Sequence, residues 1–286
     1  MHGFLAKLLG SLAILALVAC QPSQTGGPSV ATGSAPAMPA GSYMETIQKR
    51  GMLKAGLRQD VLLYGFLDPV TNKWDGFDVA MAREIARAIF GDPNKIEMIR
   101  ITSAQRIPFL QEDQVDLVVA TMTINKDRLN QIDFSDIYYM AGQQVLVKGN
   151  STITSIQDTN GKKVCATKGS TSEQNIVKFA PRAEPVLLDS YTECLTALQQ
   201  GRADAVSTDD VILKGLQKQD PSTKIVGPLF TDEPYGIGMK KGRPEFVKFV
   251  NDLIGQMKKD GRWAAIYKQY LGEPVPQPPP ATIEYK

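Results

Sequence analysis

Residues 115–128 read Val-Asp-Leu-Val-Val-Ala-Thr-Met-Thr-Ile-Asn-Lys-Asp-Arg, an apolar stretch that runs directly into polar side chains. Its first part, 115–120, predicts a mostly apolar strand, and Thr121, Thr123 and Arg128 follow the end of that strand. Arginine binds a carboxylate through two parallel N–H bonds, and hydroxyls with loop N–H groups satisfy the remaining lone pairs. The stretch is therefore typical of a site for a small carboxylate, although hydroxyls at a strand end also serve as ordinary turn residues.

Short strands and helices alternate on both sides of this stretch. Before it, the pattern predicts strands at 53–57 and 96–101 and helices at 79–90 and 106–111. After it come predicted strands at 143–147, 164–166, 186–188 and 203–206, and predicted helices at about 172–179, 191–200, 244–259 and 263–270. Alternation of this kind indicates an α/β fold with parallel sheets, and two separate runs indicate two lobes.

Further polar side chains lie at the ends of other predicted strands, where open parallel sheets bind ligands. Arg58 follows the first strand, Ser103 and Arg106 follow the strand at 96–101, and Asp209 comes just after the strand at 203–206. Three arginines and one acid at strand ends suggest a small zwitterion that carries an extra negative charge. Each residue taken alone also fits a solvated surface or a helix cap, as we expect for Asp78 before the helix at 79–90.

The composition excludes several functional classes. The 286 residues carry 32 Lys and Arg against 30 Asp and Glu, so bulk charge does not indicate a nucleic-acid partner. The single histidine, His2, lies in a segment that we expect to be cleaved, which leaves no histidine for a catalytic triad or a metal site. We therefore predict no metal, no cofactor and no enzymatic activity.

The two ends of the chain read as an export signal and a tail. Residues 1–20 have one lysine before a short apolar run that ends Leu-Val-Ala-Cys, which resembles the bacterial lipobox. This predicts a lipoprotein signal peptide with lipidation at Cys20; the alternative is a plain cleaved signal. Residues 21–42 are rich in Pro, Gly, Ser, Thr and Ala and predict a flexible tether. Residues 273–286 contain five prolines and predict an extended tail.

The remaining cysteines are Cys165 and Cys194. Export would place them in an oxidising compartment, where an even count favours a disulfide. The alternative is a pair of buried free thiols. A disulfide here would close a loop of about 29 residues and stabilise the fold by roughly 3 kcal/mol in the chain-entropy model.

Several longer motifs are distributed along the whole body of the chain. They are Asp75-Gly-Phe-Asp-Val-Ala-Met-Ala-Arg-Glu-Ile-Ala86, the stretch 115–128, Ile132-Asp-Phe-Ser-Asp-Ile-Tyr-Tyr139, Gly161-Lys-Lys-Val164, Lys168-Gly-Ser-Thr-Ser-Glu173, Gly201-Arg-Ala-Asp-Ala-Val-Ser-Thr-Asp209 and Lys259-Asp-Gly-Arg-Trp263. In their order and spacing over about 43–272, the chain resembles the extracytoplasmic solute-binding proteins, family 3, which serve ABC importers of polar amino acids.

The resemblance implies a two-lobed periplasmic-binding-protein fold of type II. Each lobe would be a mostly parallel sheet flanked by helices, and a two-strand hinge would join lobe 1 (43–143 plus 234–272) to lobe 2 (148–229). The resemblance also assigns residues to the backbone of a bound amino acid. They are Arg128, Thr121 and Thr123 for the α-carboxylate, Asp209 for the α-ammonium, and Thr171 and Ser172 as contacts from lobe 2.

The side-chain end of the site is most similar to that of glutamate/aspartate-binding lipoproteins. In those proteins the residues that match Arg58, Ser103 and Arg106 hold the side-chain carboxylate, and Tyr191 stands where some of them have a histidine. The cysteine pair also resembles lipid-anchored glutamate binders, which supports the disulfide.

The resemblance predicts a monomeric, lipid-anchored receptor in the periplasm or at the cell surface that delivers glutamate or aspartate to an ABC permease. Other interpretations remain open: a glutamine/asparagine or broader polar amino-acid binder, a sensor subunit, or an enzyme on the same fold.

Overall fold

The structure, a computed structural model, describes residues 35–285. The predicted signal peptide 1–20, its lipidation site Cys20 and most of the predicted tether 21–42 lie outside the described residues. The helices of the described range are α1 Tyr43–Arg50, α2 Phe77–Phe90, α3 Arg106–Gln111, α4 Lys126–Leu129, α5 Thr171–Phe179, α6 Tyr191–Gln199, α7 Asp210–Gln219, α8 Pro244–Asp260 and α9 Arg262–Leu271. Among them, none combines the length and the apolar character that a membrane span needs.

The strands fall into two large sheets and two small ones. They are β1 Leu53–Leu57, β2 Asp60–Val61, β3 Gly65–Leu67, β4 Trp74–Asp75, β5 Ile96–Arg100, β6 Leu117–Val118, β7 Asp133–Phe134, β8 Tyr139–Ala141, β9 Gln143–Lys148, β10 Lys163–Thr167, β11 Glu184–Leu188, β12 Ala205–Asp209, β13 Thr223–Val226, β14 Glu233–Tyr235 and β15 Gly238–Met239. A single 3₁₀ turn covers Gln157–Thr159 within this range.

Each large sheet forms the centre of one lobe. The first has the order β5-β1-β6-β15-β7 and the second has the order β11-β10-β12-β9-β13. In each, four strands run in one direction, and the fifth, β15 in the first sheet and β9 in the second, is antiparallel to both of its neighbours. The predicted two-lobed α/β fold with mostly parallel sheets is confirmed. Each sheet is mixed only through its one antiparallel strand, β15 or β9, which enters the sheet directly from a crossover between the lobes.

The crossovers themselves pair with each other. Strand β8 leads into β9, strand β14 leads into β15, and β8 and β14 form an antiparallel two-stranded sheet between the lobes. This pair is the predicted two-strand hinge. The residue limits predicted for the two lobes stay predictions.

Buried apolar faces attach the helices to the sheets. In α2, buried Met81, Ile85 and Ile89 share one face, as their spacing of four residues predicts. The helix ends at Gly91, whose φ of 74° suits glycine in the left-handed region. The predicted disulfide is present and joins Cys165 in β10 to Cys194 in α6, so it fixes a helix to the sheet of lobe 2.

The segment 273–285 has no helix or strand and follows the surface of lobe 1. The backbone N–H of Ile137 donates to the carbonyl of Ala281, and the Lys258 ammonium donates to the carbonyl of Pro279. Ile283 and Tyr285 pack against the apolar core beneath them. The tail is therefore extended, as the sequence predicts, and it is also attached.

Candidate functional site

The structure brings the ten predicted ligand-binding residues together between the lobes. Nine of them are buried, and Thr171 is partly buried. They are Arg58, Ser103, Arg106, Thr121, Thr123 and Arg128 from lobe 1, and Thr171, Ser172, Tyr191 and Asp209 from lobe 2. Buried charged side chains need partners, so the contacts of these residues show what each of them can still bind.

Arg58 lies at one end of the site and is already paired. Its Nε and one Nη donate to the two carboxylate oxygens of Asp60 at 2.9 and 2.7 Å, and its other Nη donates to the Ser103 hydroxyl at 3.2 Å. Both Arg58 and Asp60 are buried, with 1% and 8% of their surface exposed. The Tyr191 ring lies 5.0 Å from the guanidinium carbon, so an aromatic face covers the pair. We call this group of four residues the side-chain end.

The sequence motifs do not single out Asp60, although its spacing from Arg58 could have indicated it. It lies two residues after Arg58, and in an extended chain residues i and i+2 point to the same side. Asp60 also contacts the other lobe, because its carboxylate accepts the backbone N–H of Tyr191 at 2.6 Å. That N–H belongs to the first turn of α6, where a helix favours a negative charge.

Arg106 occupies the middle of the site. Its guanidinium donates hydrogen bonds to the backbone carbonyls of Ser103 and Ala120, at 3.0 and 3.1 Å, and to that of Gly169 in lobe 2, at 3.3 Å. These carbonyls explain a cation at the start of α3, where the helix itself does not favour one. Burial, and after it the positive charge of Arg128, lower the pKa of Arg106.

Arg128 lies near Arg106, and only some of its N–H groups are used in the hydrogen bonds of the site. One Nη donates to the Thr123 carbonyl at 2.7 Å, and the other donates to the Gly169 carbonyl at 3.2 Å. A guanidinium has five N–H groups, so three remain for a carboxylate. We call Arg128, Thr121 and Thr123, to which the family resemblance assigns the α-carboxylate of a ligand, the backbone end.

Gly169 lets the lobes approach at this point. Its φ is +73°, and a Cβ on it would lie 2.9 Å from the Cα of Ala104 in lobe 1. Further contacts join the lobes nearby, including Ser103 Oγ to Thr167 Oγ1 at 3.2 Å. The structure therefore represents the closed arrangement of the lobes.

Glu233 is a second acid that the sequence analysis missed. It lies in the hinge strand β14 and accepts the hydroxyls of Thr123 and Thr171, at 2.6 and 2.9 Å, and the Asn175 amide at 3.0 Å. Thr123 belongs to lobe 1, whereas Thr171 and Asn175 belong to lobe 2. No local pattern indicates this role, because Glu233 reaches the site from a crossover more than 100 residues after Thr123. A cavity of about 410 Å³ opens beside these residues and reaches the tail.

Asp209 has an oxygen available for a ligand. Its Oδ2 accepts the Tyr235 hydroxyl at 2.5 Å, whereas its buried Oδ1 has no hydrogen-bond partner in the described part of the chain. Burial, and after it the charge of Glu233, raise the pKa of Asp209 well above its usual range. A buried carboxylate oxygen without a donor is suited to an ammonium group, which would supply both charge and hydrogen bonds.

Asp78 supports the site from behind. The predicted N-cap role is wrong: Gly76 occupies the cap position, and buried Asp78 accepts the Thr121 backbone N–H at 2.9 Å and the Tyr138 hydroxyl at 2.8 Å. Because desolvation outweighs these hydrogen bonds, the pKa of Asp78 is raised to about 6. The bond to Thr121 holds a residue in the left-handed region, with φ 44°.

Known proteins share this architecture. The family model described as bacterial extracellular solute-binding proteins, family 3, matches residues 53–273. The chain belongs to this family. The predicted family is therefore confirmed, and the protein is an extracytoplasmic solute-binding protein.

Relatives differ in the ligand that their names give. The ABC transporter glutamine-binding protein GlnH of Bacillus subtilis (strain 168) is 39% identical over 271 residues, which cover 94% of this chain and 97% of the relative. Glutamate-binding protein GluB of Corynebacterium glutamicum is 32% identical and covers 79% of this chain and 80% of its own. A solved ancestral arginine-binding protein bound to glutamine has 40% identity and a TM-score of 0.74, with 78% of this chain and 99% of that chain covered.

Proposed function

We propose that this protein is the lipid-anchored receptor of an ABC importer and that it binds glutamine. The backbone end supplies Arg128 for the α-carboxylate, and Asp209 supplies a free oxygen for the α-ammonium. These two groups recognise what all α-amino acids share. The importer, the extracytoplasmic location and the amino-acid class are supported by the family and by relatives that include GlnH.

The observation that favours glutamine over glutamate is the balance of buried charge in the site. The three arginines of the site are buried together with three carboxylates, those of Asp60, Asp209 and Glu233. Asp60 forms an ion pair with Arg58, and the charges of Glu233 and Asp209 act on Arg128. A neutral zwitterion preserves this balance, whereas glutamate would add an unpaired negative charge. Asp78, whose carboxyl group interacts with the charge of Arg106, is a fourth buried acid. It leaves still less positive charge for an acidic ligand to neutralise. An amide side chain is therefore a better match than the acidic one that the count of arginines alone suggests.

A thermal-shift panel of the twenty amino acids tests this function. A ligand that binds only the folded state raises the melting temperature, and at a hundred times Kd the stabilisation is about 2.7 kcal/mol. We expect the largest rise with L-glutamine and none with D-glutamine, which keeps the groups but changes their arrangement. If no amino acid raises the melting temperature, the receptor function is contradicted. Recovery of unchanged glutamine after incubation would separate binding from catalysis.

The lipid anchor has its own test, because Cys20 lies outside the described residues. We expect the Cys20→Ser protein to appear in the soluble fraction of cells, since no thiol remains for acylation. The native protein should stay with membranes through a high-salt wash. If the Cys20→Ser protein stays there too, lipid anchoring at this residue is wrong.

A further inference from the structure

We propose that Asp60 is the residue that sets the preference for an uncharged amide over a carboxylate, an inference that rests on the proposed amino-acid site. Asp60 is remote from the backbone of the ligand in this scheme, and it acts at the side-chain end. Three features support the proposal: its pairing with Arg58, its remaining acceptor capacity and its contact with the other lobe.

The first feature is neutralisation of Arg58. The two residues form a bidentate pair, and fewer than a tenth of either side chain is exposed. Inside a protein, such a pair interacts strongly because solvent screens it little. A ligand carboxylate at Arg58 would therefore meet Asp60 as well as the guanidinium. The cation that the sequence assigns to an acidic ligand is already matched within the protein.

The second feature is the hydrogen-bonding capacity that remains. A carboxylate offers about four lone-pair positions. Asp60 uses three of them, for the Arg58 Nε, an Arg58 Nη and the Tyr191 backbone N–H. Arg58 uses three of its N–H groups, for Asp60 and Ser103, and has two left. One acceptor beside two donors complements a side-chain amide, which presents both an N–H₂ group and an oxygen. A ligand carboxylate has no donor for Asp60.

The third feature links this preference to closure. Asp60 lies in lobe 1, and the Tyr191 N–H that it accepts lies in lobe 2. The Tyr191 ring also covers Arg58 from lobe 2. A ligand group that repels Asp60 therefore weakens a contact between the lobes as well as its own binding. Asp60 is accordingly a specificity-determining residue rather than a general binding residue.

Calorimetric titration of the wild type and of Asp60→Asn with glutamine and glutamate tests the proposal. Relative to the wild type, we expect the variant to shift the ratio of glutamate to glutamine affinity toward glutamate by at least about tenfold. Asp189→Asn is the matched control, because Asp189 is an exposed acid two residues before Tyr191. It should leave the ratio unchanged.

The outcomes separate the two proposals. A wild type that prefers glutamine, with an Asp60→Asn variant that weakens both ligands equally, would overturn the role of Asp60 and leave the receptor function intact. A wild type that binds neither ligand would contradict the proposed function itself. Circular dichroism and thermal unfolding of each variant show whether it is folded.

A measurement on the wild type covers the case in which Asp60→Asn does not fold. The titratable or charged groups around the side-chain end are Arg58, Asp60, Arg106 and Tyr191. If these groups carry no net positive charge that a ligand carboxylate could neutralise, glutamate should bind with its γ-carboxyl protonated. Because that carboxyl has a pKa of about 4.3 in water, the ratio of glutamate to glutamine affinity should fall about tenfold per pH unit between pH 5 and 7. Parallel pH profiles for the two ligands would contradict the proposal.

Discussion

Replacing Arg128 with alanine is expected to lower the affinity for every α-amino acid at least about a hundredfold, since two charge-assisted hydrogen bonds of roughly 1.5–3 kcal/mol each are lost. The loss should be similar for glutamine, asparagine and glutamate, because the α-carboxylate is common to all of them. Calorimetric titration measures it directly. The fold should persist, since the present partners of Arg128 are backbone carbonyls of Thr123 and Gly169.

Lys126→Ala is the matched control for this change. Lys126 is a cation in the same short helix as Arg128, but it is exposed. We expect its loss to change the affinity less than about twofold, since an exposed charge is well screened. If Arg128→Ala stays within threefold of the wild type, the carboxylate is held elsewhere.

Asp209→Asn is expected to weaken binding about 10- to 100-fold, because the ammonium loses a charged partner worth roughly 1.5–3 kcal/mol. Asp210→Asn is a close control: it makes the same chemical change one residue later, where the carboxylate pairs with Lys214 outside the site. Equal effects of the two substitutions would show that Asp209 has no special contact with the ligand.

Lowering the pH should weaken ligand binding in the same way as the Asp209→Asn substitution. Because burial and Glu233 raise the pKa of Asp209, this carboxyl takes up a proton at a higher pH than an ordinary aspartate does. The affinity of the wild type should therefore fall as the pH decreases through that raised pKa and level off above it. The opposite sign holds for stability: the unliganded folded state retains a proton that the unfolded state releases, so the free energy of unfolding contributed by this group declines as the pH rises toward the raised pKa.

Local patterns predicted the elements that carry the site. The predicted helix at 106–111 and strand at 53–57 agree with the structure. Buried Leu53, Ala55 and Leu57 alternate along the strand, and the two buried residues of the helix, Arg106 and Leu110, lie four residues apart. The predicted strand at 115–120 is shorter, with ladder pairing at Leu117–Val118. An apolar run shows that a segment is buried, but it does not show how many of its residues have a neighbouring strand.

Charge partners were the part that local patterns missed. The strand ends indicate all three arginines, and the family resemblance assigned two of them, Arg58 and Arg106, to a ligand carboxylate. The partner of Arg58, Asp60, was within reach of an alternation argument. Glu233 and the carbonyl of Gly169 come from distant segments, so only the folded chain reveals them. A count of cations at strand ends leaves out such partners, so it does not by itself determine the charge of the ligand.

The most direct test of the proposed ligand is a parallel calorimetric titration of the wild-type protein with glutamine and glutamate, after unfolding and refolding to remove any carried-over ligand. The balanced charges of the site predict that glutamine binds at least about tenfold more tightly than glutamate, a difference of about 1.4 kcal/mol. Glutamate binding that equals or exceeds glutamine binding would contradict this prediction and return Arg58 and Arg106 to the role of carboxylate ligands.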